Sequence, residues 1–231
     1  MSDITGTAFR VAEKFLSING EGLCAGKPAA FIRFMGCNLR CSYCDTRWAN
    51  DHDCPYEILT VGDIVGYVRF TRAHCVTLTG GEPLLQKGIP ELCAALMHED
   101  GLRTEIETNG AVSIAELAEL RNTEKGELSF TLDYKLPSSG MEKYMLTDNY
   151  AYLEKTDSVK FVCGSRDDLK RAAEVIAEYS LDKRCSTIFS PVFGRTEPKD
   201  IVDFMIENEL MDSRFQLQIH KFVWEPEMRG V

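Results

Sequence analysis

Three features that would identify whole classes of protein are missing from this sequence. No run approaches the about 18 consecutive apolar residues that a membrane-spanning helix requires. Basic side chains are not in excess, because 26 Lys and Arg stand against 36 Asp and Glu for a formal charge of -10, and this excludes a broad nucleic-acid surface. Residues 1–15 are acidic and polar where a secretory signal has a basic and then an apolar segment. We therefore expect a cytoplasmic protein without direct nucleic-acid or membrane contacts.

The composition is that of a globular chain long enough to form its own core. Of 231 residues, 44% are hydrophobic and 27% are charged, and a chain of this length buries roughly 70% of its unfolded surface. Disulfides are therefore not needed for stability. The nine cysteines need another explanation, because thiols in a reducing compartment serve as ligands, nucleophiles or small core side chains.

Short β-rich runs alternate with amphipathic stretches, which is typical of strand-helix units on a parallel sheet. Seven strands are predicted, at 29–34, 75–79, 103–108, 129–133, 159–162, 187–190 and 215–218. Helices are predicted after the N-cap Thr60 and at 89–99, 113–121, 167–179 and 198–208. The predicted fold is an α/β partial (β/α) barrel of mostly parallel strands, with ligands at their carboxyl ends. No linker divides the chain, so residues 1–231 are expected to form one domain.

Three cysteines lie close together directly after the first parallel strand. Cys37, Cys41 and Cys44 form a C-x3-C-x2-C array, and three thiolates on so short a loop can converge on one centre. An iron-sulfur cube held by three thiolates keeps one iron open for an exogenous ligand, which indicates chemistry rather than electron transfer alone. The alternative is a zinc site, although structural zinc sites more often use two C-x2-C pairs and only one is present. The candidates for a fourth zinc ligand are Cys24, Cys54, His52 and His74.

Two further motifs end neighbouring predicted strands. Thr79 to Pro83 reads Thr-Gly-Gly-Glu-Pro, in which the glycines allow close backbone approach and a carboxylate can receive an ammonium group. The next strand places Glu107 and then Asn109 on the same side, where both can bind the hydroxyl groups of a ribose. Taken singly, either motif is also consistent with an ordinary turn or a solvated strand end. The remaining six cysteines are interpreted as core or incidental residues.

The cysteine array, with Tyr43 before its last cysteine, and the Gly-Gly-Glu-Pro motif together resemble the radical S-adenosylmethionine superfamily. The resemblance implies a reduced form of the superfamily barrel. It also implies a [4Fe-4S] cluster on Cys37, Cys41 and Cys44, with S-adenosylmethionine bound to the open iron. In that superfamily the reduced cluster generates a 5′-deoxyadenosyl radical, and the protein contributes positioning and exclusion of competing reactions.

Segments spread over nearly the whole chain narrow the resemblance to one family. They are Ser-Ile-Asn-Gly-Glu-Gly at 17–22, Phe-Ile-Arg-Phe at 31–34, Asp-Thr at 45–46, Lys-Leu-Pro-Ser-Ser-Gly at 135–140 and Gln-Ile-His-Lys at 218–221. They resemble the 7-carboxy-7-deazaguanine synthases of the queuosine pathway. The resemblance implies radical ring contraction of 6-carboxy-5,6,7,8-tetrahydropterin with loss of ammonia, with Mg²⁺ as a further cofactor.

The resemblance also assigns roles to residues, with no protein side chain certain to act as a catalyst. Substrate binding is expected of segments 1–28 and 215–231 and specifically of Ile18, Asn19, Gly20, Glu21, Arg33, Thr79 and His220. Cofactor binding is expected of the loop 36–46 and specifically of Tyr43, Cys44, Asp45, Gly81, Glu82, Glu107, Asn109, Asp133, Tyr134 and Lys135. Thr46 is expected to bind magnesium, because hydroxyl oxygen is a hard ligand. Arg33 stands inside an apolar strand, and its planar charged group suits a carboxylate.

The family resemblance implies partners as well. These are the small pterin substrate, an electron donor such as flavodoxin or ferredoxin, and a second copy of the chain in a homodimer. Two alternatives stay open from the residues alone. One is a glycyl-radical-enzyme activating protein, which shares the cysteine spacing, and the other is a zinc-stabilised interaction module without enzymatic activity.

Overall fold

A computed structural model describes residues 6–231, so the first five residues of the predicted segment 1–28 lie outside it. The strands are β1 (Ala8–Ile18), β2 (Pro28–Phe34), β3 (Glu57–Thr60), β4 (Cys75–Gly80), β5 (Arg103–Thr108), β6 (Glu127–Tyr134), β7 (Ser158–Cys163), β8 (Ser186–Pro191) and β9 (Ser213–Phe215). The helices are α1 (Val61–Thr71), α2 (Ile89–Met97), α3 (Ala115–Thr123), α4 (Arg166–Tyr179), α5 (Leu181–Arg184), α6 (Pro198–Glu207) and α7 (His220–Val223). None of the helices within 6–231 is both long and apolar enough to cross a membrane.

All nine strands form one sheet, in the order β3-β1-β2-β4-β5-β6-β7-β8-β9. Strand β2 and the six strands β4 to β9 pair in parallel with their neighbours. Strand β1 runs antiparallel to both β2 and β3. The predicted α/β fold with a mostly parallel sheet is confirmed. Strands β1 and β3 were not predicted, because a register shift between Val11 and Glu13 interrupts the alternation of β1 and β3 has only four residues.

The predicted helices are confirmed to within a few residues at their ends. Thr60 caps α1 with a full capping box, in which its side chain accepts from the backbone of Asp63 and the Asp63 side chain accepts from the backbone of Thr60. The last predicted strand, 215–218, is wrong in position. Strand β9 ends at Phe215, and His220 begins a short helix rather than standing at a strand end.

On β4, β6 and β7 the outer face is apolar and the inner face is mainly polar. On β6, for example, Phe130 and Leu132 belong to the main hydrophobic core, which packs against the helices. Thr131 and Asp133 alternate with them and point to the other side. The inner face therefore lines a mainly polar interior, apart from a small apolar cluster of Cys24, Ala29, Phe31 and Cys75.

The sheet must curve, because residues near its two edges meet. Gln216, directly after β9, exchanges two hydrogen bonds with Gly22 in the loop between β1 and β2, at 2.8 and 3.0 Å. In a flat sheet, six strand spacings of about 4.8 Å would separate β2 from β9 by about 29 Å. The C-terminal segment therefore closes the gap between β2 and β9, and the polar inner face surrounds an enclosed space.

Candidate active site

A cavity of about 800 Å³ opens at the carboxyl ends of the parallel strands, which is where ligands bind in such folds. Its volume lies in the upper part of the range usual for small-molecule sites. Most of the residues predicted to form the site line it: Ile18, Gly20, Glu21, Arg33, Cys37, Cys41, Tyr43, Cys44, Asp45, Thr46, Thr79, Gly81, Glu107, Asn109, Asp133, Lys135 and His220.

The cysteine loop follows β2 and lies against the ends of β4 and β5. The Cys37 sulfur accepts from the Leu39 backbone N–H at 3.4 Å and from the Asn109 side-chain amide at 3.4 Å. Such N–H groups stabilise negative charge on a sulfur ligand. All nine cysteines of the chain are free. The three cavity thiols and the N–H donors at Cys37 fit an iron-sulfur cluster.

None of the proposed fourth zinc ligands, Cys24, His52, Cys54 and His74, lines this cavity. The alternative in which the loop cysteines form a four-ligand zinc site therefore finds no support in the geometry.

The Gly-Gly-Glu-Pro motif packs against the protein's own backbone. A side chain at Gly81 would collide with the carbonyl of Gly36, at the entrance to the cysteine loop. Glu82 is fully buried and accepts from the Leu84 backbone at 3.0 Å, the Thr108 hydroxyl at 2.8 Å and the Asn109 backbone at 2.7 Å. Glu82 thus ties β5 to the end of β4. It was predicted to bind the cofactor, but its carboxylate does not line the cavity.

Glu82 should make the stability of the cofactor-free chain depend on pH. Burial raises the pKa of Glu82 to about 7, whereas an unfolded glutamate titrates near about 4.3. The folded state then binds the proton more tightly, so this residue's contribution to stability weakens as pH rises from about 4.3 to about 7 and stays constant above. Urea unfolding between pH 5 and pH 8 should show a steeper fall for the wild type than for Glu82→Gln. An equal dependence of unfolding free energy on pH in the two proteins would contradict this role of Glu82. The control is Glu119→Gln, on the exposed side of α3, which should behave like the wild type.

The loop between β1 and β2 meets the C-terminal segment at the cavity. The Ile219 backbone N–H donates to the Gly20 carbonyl at 3.2 Å, and a Cβ added to Gly20 would lie 2.5 Å from Nδ1 of His220. Burial lowers the pKa of His220, so its imidazole is neutral near pH 7. Gln218 and Lys221 on the same segment face Asp45 of the cysteine loop, at 3.4 and 3.8 Å.

Gly20 and His220 are both expected from the sequence to bind the substrate, so Gly20→Ala should weaken substrate binding without unfolding the chain. The new methyl group displaces the His220 ring, which is one flexible side chain, so we expect the KM for the substrate to rise about tenfold or more while the cluster still assembles. Steady-state kinetics and iron content measure both effects. Gly66→Ala on α1, where an added Cβ meets nothing within 4 Å, is the matched control. An unchanged KM for Gly20→Ala would show that His220 does not bind substrate.

A buried network of charges forms the floor of the cavity. The Lys160 ammonium group contacts Glu21 at 2.8 Å and Asp133 at 3.2 Å, and Lys135 contacts Asp133 at 2.6 Å. The two lysines hold the pKa of Asp133 below its usual value although burial opposes this. Lys160 was not predicted. Its signal in the sequence was a lone charge inside the apolar strand β7, which is the same signal that identified Arg33.

Arg33 and Thr79 each contact a carboxylate at the cavity wall. The Arg33 Nε donates to Glu13 on the neighbouring strand at 2.7 Å, and within residues 6–231 the two terminal guanidinium nitrogens have no hydrogen-bond acceptor. The Thr79 hydroxyl donates to Glu107 at 2.8 Å. Burial raises the pKa of Glu107 to about 7, partly offset by Lys160.

Two more predicted site residues do not reach the cavity. Tyr134 follows Asp133 on β6 and therefore points to the opposite face, where its hydroxyl donates to Glu142 at 2.9 Å. Asn19 is fully buried below the cavity and accepts from the Thr77 hydroxyl at 2.8 Å. Neither side chain is placed to contact a ligand in the cavity.

Comparison with known proteins gives consistent results. Residues 31–206 match the family model described as the Radical SAM superfamily. The chain is 52% identical over 223 residues to a 7-carboxy-7-deazaguanine synthase of Clostridium acetobutylicum, covering 96% of this chain and 99% of the relative. It is 35% identical to the synthase of Chlorobaculum tepidum, covering 98% and 99%. The crystal structure of QueE from Escherichia coli has a similar fold, with a TM-score of 0.68, 21% identity and coverage of 91% and 93%.

Proposed function

The chain belongs to the radical SAM superfamily and, within it, to the 7-carboxy-7-deazaguanine synthases, and from this premise we propose its reaction and the roles of its residues. The reaction is the conversion of 6-carboxy-5,6,7,8-tetrahydropterin to 7-carboxy-7-deazaguanine with loss of ammonia. The observation that supports it is a single cavity lined both by the three loop cysteines and by Glu21, Arg33 and His220. The relatives do not favour a glycyl-radical activating protein or an interaction module.

The half of the cavity that includes the cysteine loop is proposed to hold the cofactors. Cys37, Cys41 and Cys44 would hold the [4Fe-4S] cluster, and Asn109 donates a hydrogen bond to Cys37. When bound, the cluster and S-adenosylmethionine supply a 5′-deoxyadenosyl radical that removes a hydrogen atom from the substrate. The neighbouring groups proposed to bind S-adenosylmethionine are Tyr43, Asp45, Gly81, Glu107, Asp133 and Lys135. Glu82 would act indirectly, by fixing the backbone of Asn109.

The opposite half is proposed to bind the pterin. Glu21 has one oxygen engaged by Lys160 and a second, Oε1, that is buried without a hydrogen-bond partner among residues 6–231. A buried acceptor without a donor is costly, and the N–H groups of a pterin edge would satisfy it. Arg33 presents its two terminal nitrogens, which suit the substrate carboxylate. The remaining contacts are assigned to the backbone of Ile18 and Gly20 and to the side chains of Thr79 and His220.

The reaction is tested with the reconstituted and reduced protein. It is mixed with S-adenosylmethionine, Mg²⁺ and 6-carboxytetrahydropterin, and mass spectrometry should detect a ring-contracted product that has lost ammonia. Omission of S-adenosylmethionine is the control. Absence of product from protein with a full complement of iron and sulfide would refute the substrate, while leaving superfamily membership intact.

We propose Thr46 as the magnesium ligand. Its hydroxyl lies 3.8 Å from the Cys44 sulfur and lines the cavity, so it would offer the ion a hard oxygen ligand beside the cluster cysteines. Thr46→Ala should lower the rate at saturating Mg²⁺ about tenfold and reduce its dependence on Mg²⁺ concentration. Product formation across a magnesium titration measures this, with the exposed Thr156→Ala as control. A full magnesium response in Thr46→Ala would remove Thr46 from the site.

The remaining family features are proposed on the same basis. The reaction needs an electron from outside the chain, for which a flavodoxin or ferredoxin is the proposed donor. We also propose a homodimer, a cytoplasmic location, and one domain for residues 1–231, the last supported by a sheet whose strands run from Ala8 to Phe215.

A further inference from the structure

Two cysteines and a glutamate meet outside the ligand cavity, in what we call the lower cluster: Cys24, Cys75 and Glu105. Cys24 lies in the loop between β1 and β2, Cys75 begins β4, and Glu105 is in the middle of β5. Their sulfur and oxygen atoms lie within 4.8 Å of one another, and the three residues are 1%, 4% and 1% exposed. The prediction that Cys24 and Cys75 are core residues is confirmed, and the structure adds that both sulfurs face Glu105.

The lower cluster brings three potential metal ligands together in a buried site. Across the described part of the chain, Glu105 forms no ion pair. Its carboxyl group accepts from the Thr131 hydroxyl at 2.9 Å and the Asn19 amide at 3.4 Å. The nearby Arg103 donates instead to the Thr156 carbonyl at 3.3 Å. Thiol sulfur and carboxylate oxygen are the ligand types that bind transition metals, so their convergence in a buried site indicates a bound metal ion.

Asn19 supplies the position of a fourth ligand. Its side-chain nitrogen lies 3.6 Å from the Cys75 sulfur and 3.4 Å from a Glu105 oxygen, while its oxygen accepts from Thr77. Rotation of the Asn19 amide group by 180° exchanges the positions of its nitrogen and oxygen. With the amide turned over, its N–H donates to the Thr77 hydroxyl and its oxygen faces the lower cluster.

We propose that the lower cluster binds one Zn²⁺ ion, with the Asn19 amide oxygen as fourth ligand. Thiolates select zinc over magnesium or calcium. Tetrahedral zinc, with Zn–S of about 2.3 Å and Zn–O of about 2.0–2.2 Å, places its ligand atoms about 3.4–3.8 Å apart, which is compatible with the observed spacing. On binding, the two thiols release their protons and both sulfurs become ligands.

A second cavity would let the ion reach the lower cluster without passing through the ligand cavity. It is about 950 Å³ in volume and is lined by Cys24, Cys75 and Arg103 at the amino ends of the strands. The ion would tie the loop between β1 and β2 to strands β4 and β5. Because the same loop places Gly20 and Glu21 in the first cavity, zinc would act as a structural support for the substrate site. This role does not depend on which substrate the enzyme uses.

The first experiment measures zinc binding in a chain whose loop cysteines have been replaced, so that only the lower cluster can bind the ion through sulfur. In the full chain with Cys37→Ser, Cys41→Ser and Cys44→Ser, stripped of metal and then given Zn²⁺ alone, we expect about one zinc per chain. X-ray absorption at the zinc edge should show two sulfur and two oxygen ligands, and this measurement requires no further substitution. In the unaltered chain with its cluster assembled, about one zinc per chain should accompany the iron.

Substitutions within the lower cluster give the matched comparison. On the same triple-serine background, Cys24→Ala or Cys75→Ala should lower zinc affinity at least about 100-fold. Cys93→Ala, which removes a fully buried core thiol of α2, should leave the zinc affinity unchanged. The proposal is overturned if Cys24→Ala retains full affinity, if the absorption spectrum shows no sulfur, or if the triple-serine chain binds no zinc. A Cys24–Cys75 disulfide in freshly isolated protein also overturns it, because an oxidised pair has no thiolates.

Discussion

Cys41→Ala should leave the chain without an iron-sulfur cluster and without product formation. Cys41 is 8% exposed and is the most buried of the three cysteines in the cavity. Among residues 6–231, no cysteine besides Cys37 and Cys44 lines the cavity to take its place. A cluster with two protein ligands in place of three is not held. After anaerobic reconstitution, iron and sulfide content should fall to background, and turnover should fall with them.

Cys93→Ala is the control for this loss, because it removes a thiol of equal size from the core. That variant should lose about 1 kcal/mol of stability and retain its iron. If Cys41→Ala kept a full cluster and activity, the loop would not be the cluster site, and the proposed mechanism would be wrong.

Lys160→Met should strongly destabilise the chain. The substitution removes the cation that Glu21 and Asp133 share, and a buried ion pair that loses one partner costs about 3–5 kcal/mol. Urea unfolding of the cluster-free chain measures this loss. Binding of substrate should weaken as well, because Glu21 loses the contact that orients it.

Two comparisons show whether charge is the cause. Lys199→Met removes an exposed lysine of α6 and should cost under about 1 kcal/mol. Adding Glu21→Gln to Lys160→Met should recover part of the lost stability, because one uncompensated carboxylate is then gone, but it should not recover activity. Equal stability of Lys160→Met and the wild type would show that the network is unimportant for folding.

Residues in short contiguous motifs could be predicted from the sequence, because the loop that contains them also positions them. The cysteine loop is of this kind. Lys160 is not, because its partners Glu21 and Asp133 come from distant parts of the chain and meet it only through the order of the strands. No local pattern contains that order.

Other differences follow from backbone geometry. Asp133 and Tyr134 were both predicted to bind the cofactor, yet successive residues of a strand point to opposite faces, so only one of them could line the cavity. The role of Glu82 depended on which backbone N–H groups lay nearby, and its partner Asn109 is 27 residues away in the chain. The first strand was hidden because its register shift breaks the period of two on which strand prediction depends.

The hydrogen bonds between Gly22 and Gln216 join residues that are 194 positions apart. Closing a loop of that length costs about 5 kcal/mol of chain entropy, so this contact is favourable only after the intervening strands have aligned. Long-range contacts of this kind form late during folding. A refolding chain should therefore acquire its sheet before it can bind the pterin, and protection of the Gly22 amide from hydrogen exchange should appear among the last.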